Sequence, residues 1–127
     1  MPREIKFRAW DRKNHQWIDY GAGNLLINEW GNVFLWDEDT QIATILDLQT
    51  NEVKICFYTG LKDKNGVEIY EGDIVESPYH EERFEVKFYE GCFCGDNSNF
   101  EHGILSSFEL KISKIIGNIY ENPELLK

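Results

Sequence analysis

The residues best suited to chemistry are two cysteines that flank one phenylalanine, Cys92-Phe93-Cys94. Thiolates and imidazoles bind zinc, and Cys92 and Cys94 with His80 and His102 would complete a Cys₂His₂ set. Structural zinc sites usually place two residues between paired cysteines, whereas the spacing here is one. The alternative is that Cys92 and Cys94 lie on one strand face as small apolar residues. The spacing favours this alternative, and we expect no tightly bound zinc.

Other patterns that carry catalysis do not stand out in the sequence. No glycine-rich loop with a phosphate-binding lysine is present, and no serine elbow. The acidic run at residues 37–39 lacks the alternating carboxylates, the glycine and the distal glutamate of a calcium loop. We therefore expect a protein without catalytic activity and without a cofactor.

The net charge of the chain makes some classes of binding partner unfavourable. The 127 residues carry 13 Lys and Arg against 23 Asp and Glu, a formal net charge of −10. Such a chain is not expected to coat nucleic acid or an anionic membrane by charge alone. The longest apolar runs are four residues, much shorter than a membrane span. Three cysteines cannot all pair within one chain, which favours a reducing, cytoplasmic compartment.

The elements that must position these residues are mostly β-strands, because apolar and polar residues alternate along much of the chain. Residues 37–51 stay open between helix and strand: Ile42 and Ile45 fit a helical face, but several β-branched residues weaken a short helix. Asn122-Pro123 is typical of a helix start. Strands are predicted at residues 5–10, 17–20, 25–29, 33–36, 53–58, 67–70, 74–75, 84–88, 108–112 and 114–120.

These strands fall into two groups that divide near Tyr58. We predict an N-terminal β subdomain at residues 1–58 and an SH3-like small barrel at residues 59–127, packed as one unit. The fold class is therefore mostly β, or α+β at most, with short antiparallel strands, hairpins and one or two short helices.

One stretch of the second group combines turn and bend signals. Asn65-Gly66 is a turn dipeptide, and Gly72 interrupts an apolar run, which is typical of a bulge or bend. Asp73 can accept hydrogen bonds from neighbouring amides there. The positions expected to have structural roles are Gly60, Asn65, Gly66, Tyr70, Gly72, Asp73 and Gly117.

Three blocks of the sequence resemble the YopX family of phage and prophage proteins. They are Arg3-Glu4-Ile5-Lys6-Phe7-Arg8-Ala9-Trp10-Asp11 at the start, residues 58–75 in the middle, and residues 116–126 at the end. The resemblance implies a small, mostly β protein with an SH3-like barrel portion, encoded by phages and prophages of Gram-positive bacterial hosts. It implies no activity, catalytic residue or cofactor.

The absence of recognisable chemistry favours a non-catalytic protein-interaction module that self-associates or binds a host or phage protein. Trp10 shares a strand face with Lys6 and Arg8, so we expect it to point away from the core and to contact another copy. Two alternatives remain open. One is a nucleic-acid-binding small barrel that uses the cations of residues 1–13, and the other is an acidic mimic that occupies a host nucleic-acid-binding protein.

Overall fold

The computed structural model describes residues 6–18, 25–30, 32–45, 53–79, 82–89, 91–97 and 104–126. Antiparallel strands dominate this part of the chain, which confirms the predicted mostly β class. The elements in chain order are β1 (Phe7–Asp11), β2 (Gln16–Trp17), β3 (Leu25–Ile27), β4 (Val33–Asp37), β5 (Ile42–Ile45), β6 (Val53–Lys62), β7 (Glu68–Tyr70), β8 (Asp73–Glu76), β9 (Arg83–Tyr89), β10 (Cys92–Asp96), β11 (Ile104–Leu105), α1 (Ser107–Lys111), β12 (Lys114–Asn118) and a 3-10 helix (Pro123–Leu126).

The chain divides into two compact units, Arg8–Ile55 and a second unit formed by Met1–Phe7 with Cys56–Lys127. The sequence placed the division after Tyr58, whereas the structure places it within β6 and groups the first seven residues with the C-terminal half. In that unit the carbonyl of Lys6 accepts a hydrogen bond from the Tyr58 amide, at 2.9 Å. Chain order alone could not reveal this pairing, because the two residues are far apart in sequence.

The unit Arg8–Ile55 contains a β1–β2 hairpin and a three-stranded antiparallel sheet in the order β3-β4-β5. The hairpin predicted from residues 25–29 and 33–36 is present as β3 and β4, with Leu26 opposite Phe34. The open question about residues 37–51 is answered for β5, which is a strand. Residues 46–52 lie outside the described part of the chain.

The other unit contains the β6–β7 hairpin and a five-stranded antiparallel sheet, in the order β11-β10-β9-β8-β12, that curls into a half-barrel. Its core is assembled from alternate residues of these strands and from one helical residue, because side chains two apart on a strand share a face. The core residues are Ile69, Val75, Phe84, Val86 and Leu110, with Leu61 and Ile115 packed against them.

One predicted strand is wrong. Residues 108–112 were expected to alternate as a strand, but Ser107–Lys111 form α1. Ser106 caps this helix: its hydroxyl accepts a hydrogen bond from the Glu109 amide, at 3.3 Å. Of the apolar pair Phe108 and Leu110, only Leu110 is buried, while Phe108 is 69% exposed. The signal that identifies this helix is the Ser-x-x-Glu capping box at Ser106–Glu109.

The helix start predicted at Asn122-Pro123 is present as the 3-10 helix Pro123–Leu126. Proline suits the first helical position, because its missing amide donor would have no partner within the helix. The amide of Leu125 donates to the Asn122 carbonyl, at 3.1 Å, and closes the first turn. None of the helices in the described ranges has the length and apolar character needed to cross a bilayer.

Candidate functional site

The β9–β10 hairpin forms a small cavity, about 210 Å³ in volume, lined by Lys87, Tyr89, Cys94 and Asp96. Lys87 and Tyr89 are alternate residues of β9, and Cys94 and Asp96 are alternate residues of β10, so each pair points to the same side of its strand. Register places Cys94 directly opposite Lys87. The hairpin therefore gathers an ammonium, a carboxylate, a phenol and a thiol in one place.

The two charged groups of this cavity, those of Lys87 and Asp96, are paired with each other. The Lys87 Nζ atom lies 3.1 Å from the Asp96 Oδ2 atom, and this hydrogen bond raises the pKa of Lys87 above its ordinary value. Burial raises the pKa of the Cys94 thiol. A thiol that stays protonated at neutral pH is a poor nucleophile and a poor metal ligand. The lining residues can accommodate a small molecule, but the described ones include no activated nucleophile.

The four metal-ligand candidates are not brought together in the described structure. Cys92 is exposed at the start of β10, with its Sγ atom 3.4 Å from the Tyr89 carbonyl oxygen, and Cys94 is buried. His80 and His102 lie outside the described residues. Within the ranges that are described, no group of three or more His, Cys, Asp or Glu side chains is placed to hold a metal. The absence of tightly bound zinc stays a prediction.

The three cysteines are expected to differ sharply in reactivity. Under native conditions at neutral pH, a disulfide reagent such as dithionitrobenzoate should modify Cys92 rapidly, because only this thiol is exposed. Cys56 and Cys94 should react only as the protein opens, and both should react at once in denaturant. The fast phase should vanish in Cys92→Ser and persist in the matched variant Cys94→Ser. A fast phase that survives Cys92→Ser would contradict the arrangement.

The residues with expected structural roles cluster around two turns of the second unit. Gly60, Gly66 and Gly72 all have left-handed backbone, with φ of +84°, +81° and +87°. The Asp73 carboxylate accepts a hydrogen bond from the Tyr70 amide, at 2.8 Å, and holds the bend between β7 and β8. Glycine permits these φ values without the steric strain that a Cβ atom introduces.

The remaining members of that set join strands and turns. The Asn65 backbone amide donates to the Asp63 carboxylate, at 2.8 Å, within the turn after β6. The Tyr70 ring packs against the Tyr58 ring, with centroids 5.4 Å apart. At Gly117 the register of β12 against β8 shifts, which is the geometry of a bulge. The contacts described for these residues are contacts of turns, bends and strand pairs.

Asp63 was not singled out from the sequence, although its carboxylate accepts three backbone hydrogen bonds in the structure. The residue is 6% exposed, and its carboxylate accepts hydrogen bonds from the backbone amides of Asn65 at 2.8 Å, Val67 at 2.9 Å and Ile115 at 3.1 Å. The sequence feature that indicates this role is an aspartate two residues before Asn-Gly, which is typical of an Asx turn.

The expectation that Trp10 points away from the core is wrong. Trp10 is 3% exposed, and its ring packs edge-on against Trp17, with centroids 4.9 Å apart, and against His15, at 5.1 Å. The Arg8 guanidinium lies over the Trp17 ring, 4.2 Å from its centroid. Trp10 therefore anchors the β1–β2 hairpin and does not offer a surface to another copy.

Comparison with known proteins places this architecture in one family. The YopX protein family model matches residues 6–127. The structure is similar to that of protein EF1440 from Enterococcus faecalis, with a TM-score of 0.61 and 29% identity, covering 99% of this chain and 100% of that one. It is also similar to protein yopX from Bacillus subtilis, with a TM-score of 0.64 and 26% identity, covering 95% and 97% of the two chains. A search of curated proteins gives no significant match. The chain belongs to the YopX protein family.

Proposed function

We propose that this protein is a non-catalytic, self-associating protein-interaction module, and that the unit Arg8–Ile55 carries the self-association surface. The observation that supports the proposal is the edge strand β5 of the three-stranded sheet. An edge strand presents backbone donors and acceptors to any chain that can pair with it.

Strand β5 has few of the features that protect edges. Its sequence, Ile42-Ala43-Thr44-Ile45, contains no charge and no proline, and its register with β4 is regular. Among the described residues it pairs on one side only, with β4. Ile42 is 60% exposed. Soluble proteins commonly protect such an edge with a lysine, a proline or a bulge, and β5 has none of these.

The faces of the same sheet support the proposal. Alternate residues of β4 are apolar on both sides, with Val33 and Leu35 on one face and Phe34 and Trp36 on the other. Leu26, which lies opposite Phe34, is 45% exposed. A sheet that is apolar on both faces and partly exposed is suited to bury apolar surface in an assembly.

The non-catalytic part of the proposal is supported by the chemistry of the β9–β10 cavity. Its thiol is buried with a raised pKa, and its lysine is already paired with Asp96. General acid–base and nucleophilic catalysis both need a group poised to exchange a proton near neutral pH. The net charge of −10 favours proteins over nucleic acids as partners.

Light scattering coupled to size exclusion, over a range of micromolar concentrations, tests self-association. We expect a species larger than the 14.9 kDa monomer, and we expect Ile42→Lys to shift it toward the monomer by placing a charge on the edge. Val67→Lys is the matched control, because Val67 is similarly exposed but belongs to the other unit. A mass of 14.9 kDa at every concentration would overturn the proposal.

A further inference from the structure

Two hairpin loops of the unit Arg8–Ile55 have the same length and similar backbone geometry. The first, here named the basic turn, spans residues 11–16 and is closed by the pair Asp11 and Gln16. The second, named the acidic turn, spans residues 37–42 and is closed by Asp37 and Ile42. Each therefore places four residues between the two residues of its closing pair.

The match extends to the dihedral angles. The fifth residue of each turn has left-handed backbone, with φ of +55° at His15 and +56° at Gln41. Such residues close four-residue hairpin loops and add the extra twist that the strands need.

The carboxylate of the aspartate that begins each turn accepts hydrogen bonds from two backbone amides of that turn. The Asp11 Oδ1 atom accepts from the amides of Lys13, at 2.9 Å, and Asn14, at 3.1 Å. The Asp37 Oδ1 atom accepts from the amides of Asp39, at 2.9 Å, and Thr40, at 3.3 Å. The charges that distinguish the turns are therefore those of the second and third residues.

These two positions carry opposite charges in the two turns. They are Arg12 and Lys13 in the basic turn, and Glu38 and Asp39 in the acidic turn, and all four residues are exposed. The acidic turn also runs directly into the edge strand β5, whose first residue is Ile42. An open, uncharged strand edge therefore has a pair of carboxylates at one end.

We propose that the basic turn of one copy docks onto the acidic turn and the adjoining β5 edge of a second copy. This inference rests on the self-association proposed above and names the two surfaces that meet. Charge complementarity specifies the second copy as the occupant, because the same chain supplies both the two cations and the two carboxylates.

The pattern of charges also limits which turns can meet in the contact. An arrangement that places the acidic turns of two copies against each other would oppose like charges, and so would one that brings the basic turns together. Contact between unlike turns is satisfied by a two-fold dimer, in which the basic turn of each copy meets the acidic turn of the other, and by a head-to-tail ring. Because the charged groups are exposed, the association should weaken as salt is raised above the physiological range.

Charge reversal tests the pairing directly. One variant carries Arg12→Glu and Lys13→Glu, a second carries Glu38→Lys and Asp39→Lys, and a third carries all four substitutions. We expect each two-residue variant alone to dissociate with a constant raised about tenfold or more. An equimolar mixture of these two variants, and the four-residue variant alone, should both recover assembly, because unlike turns again face each other. Circular dichroism and thermal melting of each variant verify that it is folded.

The outcomes separate this inference from the function on which it rests. A wild-type protein that is monomeric throughout would overturn both. A wild-type assembly that is unaffected by either two-residue reversal would overturn the docking inference and leave self-association standing. Folded reversal variants that dissociate but fail to reassemble on mixing would also overturn the pairing of the two turns.

Discussion

Replacing Asp63 with alanine is expected to lower the free energy of unfolding by about 4 kcal/mol, because it removes the acceptor for three amides in one step. The amides of Asn65 and Val67 belong to the turn that Asp63 begins, and that of Ile115 belongs to β12. The carboxylate is buried, so water cannot easily take its place. Urea denaturation followed by tryptophan fluorescence measures the change.

Two controls separate the burial of Asp63 from its turn chemistry. Asp11→Ala removes a carboxylate that also accepts from two turn amides, but this turn is exposed and water can replace it. We expect Asp11→Ala to cost less than about 1 kcal/mol. Asp63→Asn keeps one oxygen for the turn and should fall between Asp63→Ala and wild type. Equal denaturation midpoints for Asp63→Ala and Asp11→Ala would show that the burial of Asp63 does not increase its contribution to stability.

Gly72→Ala is expected to cost about 3 kcal/mol, of which backbone strain accounts for about 1 kcal/mol. The remaining destabilisation comes from a steric clash, because a Cβ atom at Gly72 would lie 2.9 Å from the Cε2 atom of Tyr120. The ring cannot move away freely, because its hydroxyl group is 3.3 Å from the Cys56 sulfur. The backbone at Gly72 is also held, since its amide donates to the Val86 carbonyl at 2.9 Å.

Gly66→Ala is the matched control for this substitution. Gly66 has nearly the same φ, +81°, but no atom lies within 4 Å of the added Cβ position. Its substitution should therefore show the strain alone, about 1 kcal/mol. In a Tyr120→Ala background, the cost of Gly72→Ala should fall to that of Gly66→Ala, as measured by denaturation of all four proteins in the cycle. An unchanged cost in that background would exclude the collision with Tyr120.

The β-strands could be predicted because their signal is local and periodic. Phe84 and Val86 alternate with polar neighbours along β9, and the structure buries both. The Gly31-Asn32 segment between two β-forming runs predicted the β3–β4 hairpin. Pro123 predicted a helix start for the same reason, since its fixed φ and missing donor act on its own backbone. Each of these features depends on residues only a few positions apart.

The helix α1 shows how a local pattern can mislead. Phe108, Leu110 and Ile112 alternate as a strand would, yet only Leu110 enters the core. The capping interaction between Ser106 and Glu109 outweighs that alternation, because it satisfies amides that an uncapped helix start leaves open. Alternation without the cap therefore predicts the wrong element at residues 108–112.

The class of the fold, the family and the positions of most strands can be predicted from the sequence, because pleating, turns and glycine bends act between near neighbours in the chain. Other contacts join segments that are far apart in the chain. The Asp63 carboxylate accepts a hydrogen bond from the Ile115 amide, 52 positions away. The Lys6 carbonyl accepts one from the Tyr58 amide, which is equally remote in the chain. Burial and pairing of this kind depend on which distant segments pack together, and the periodicity of one strand does not record its partners.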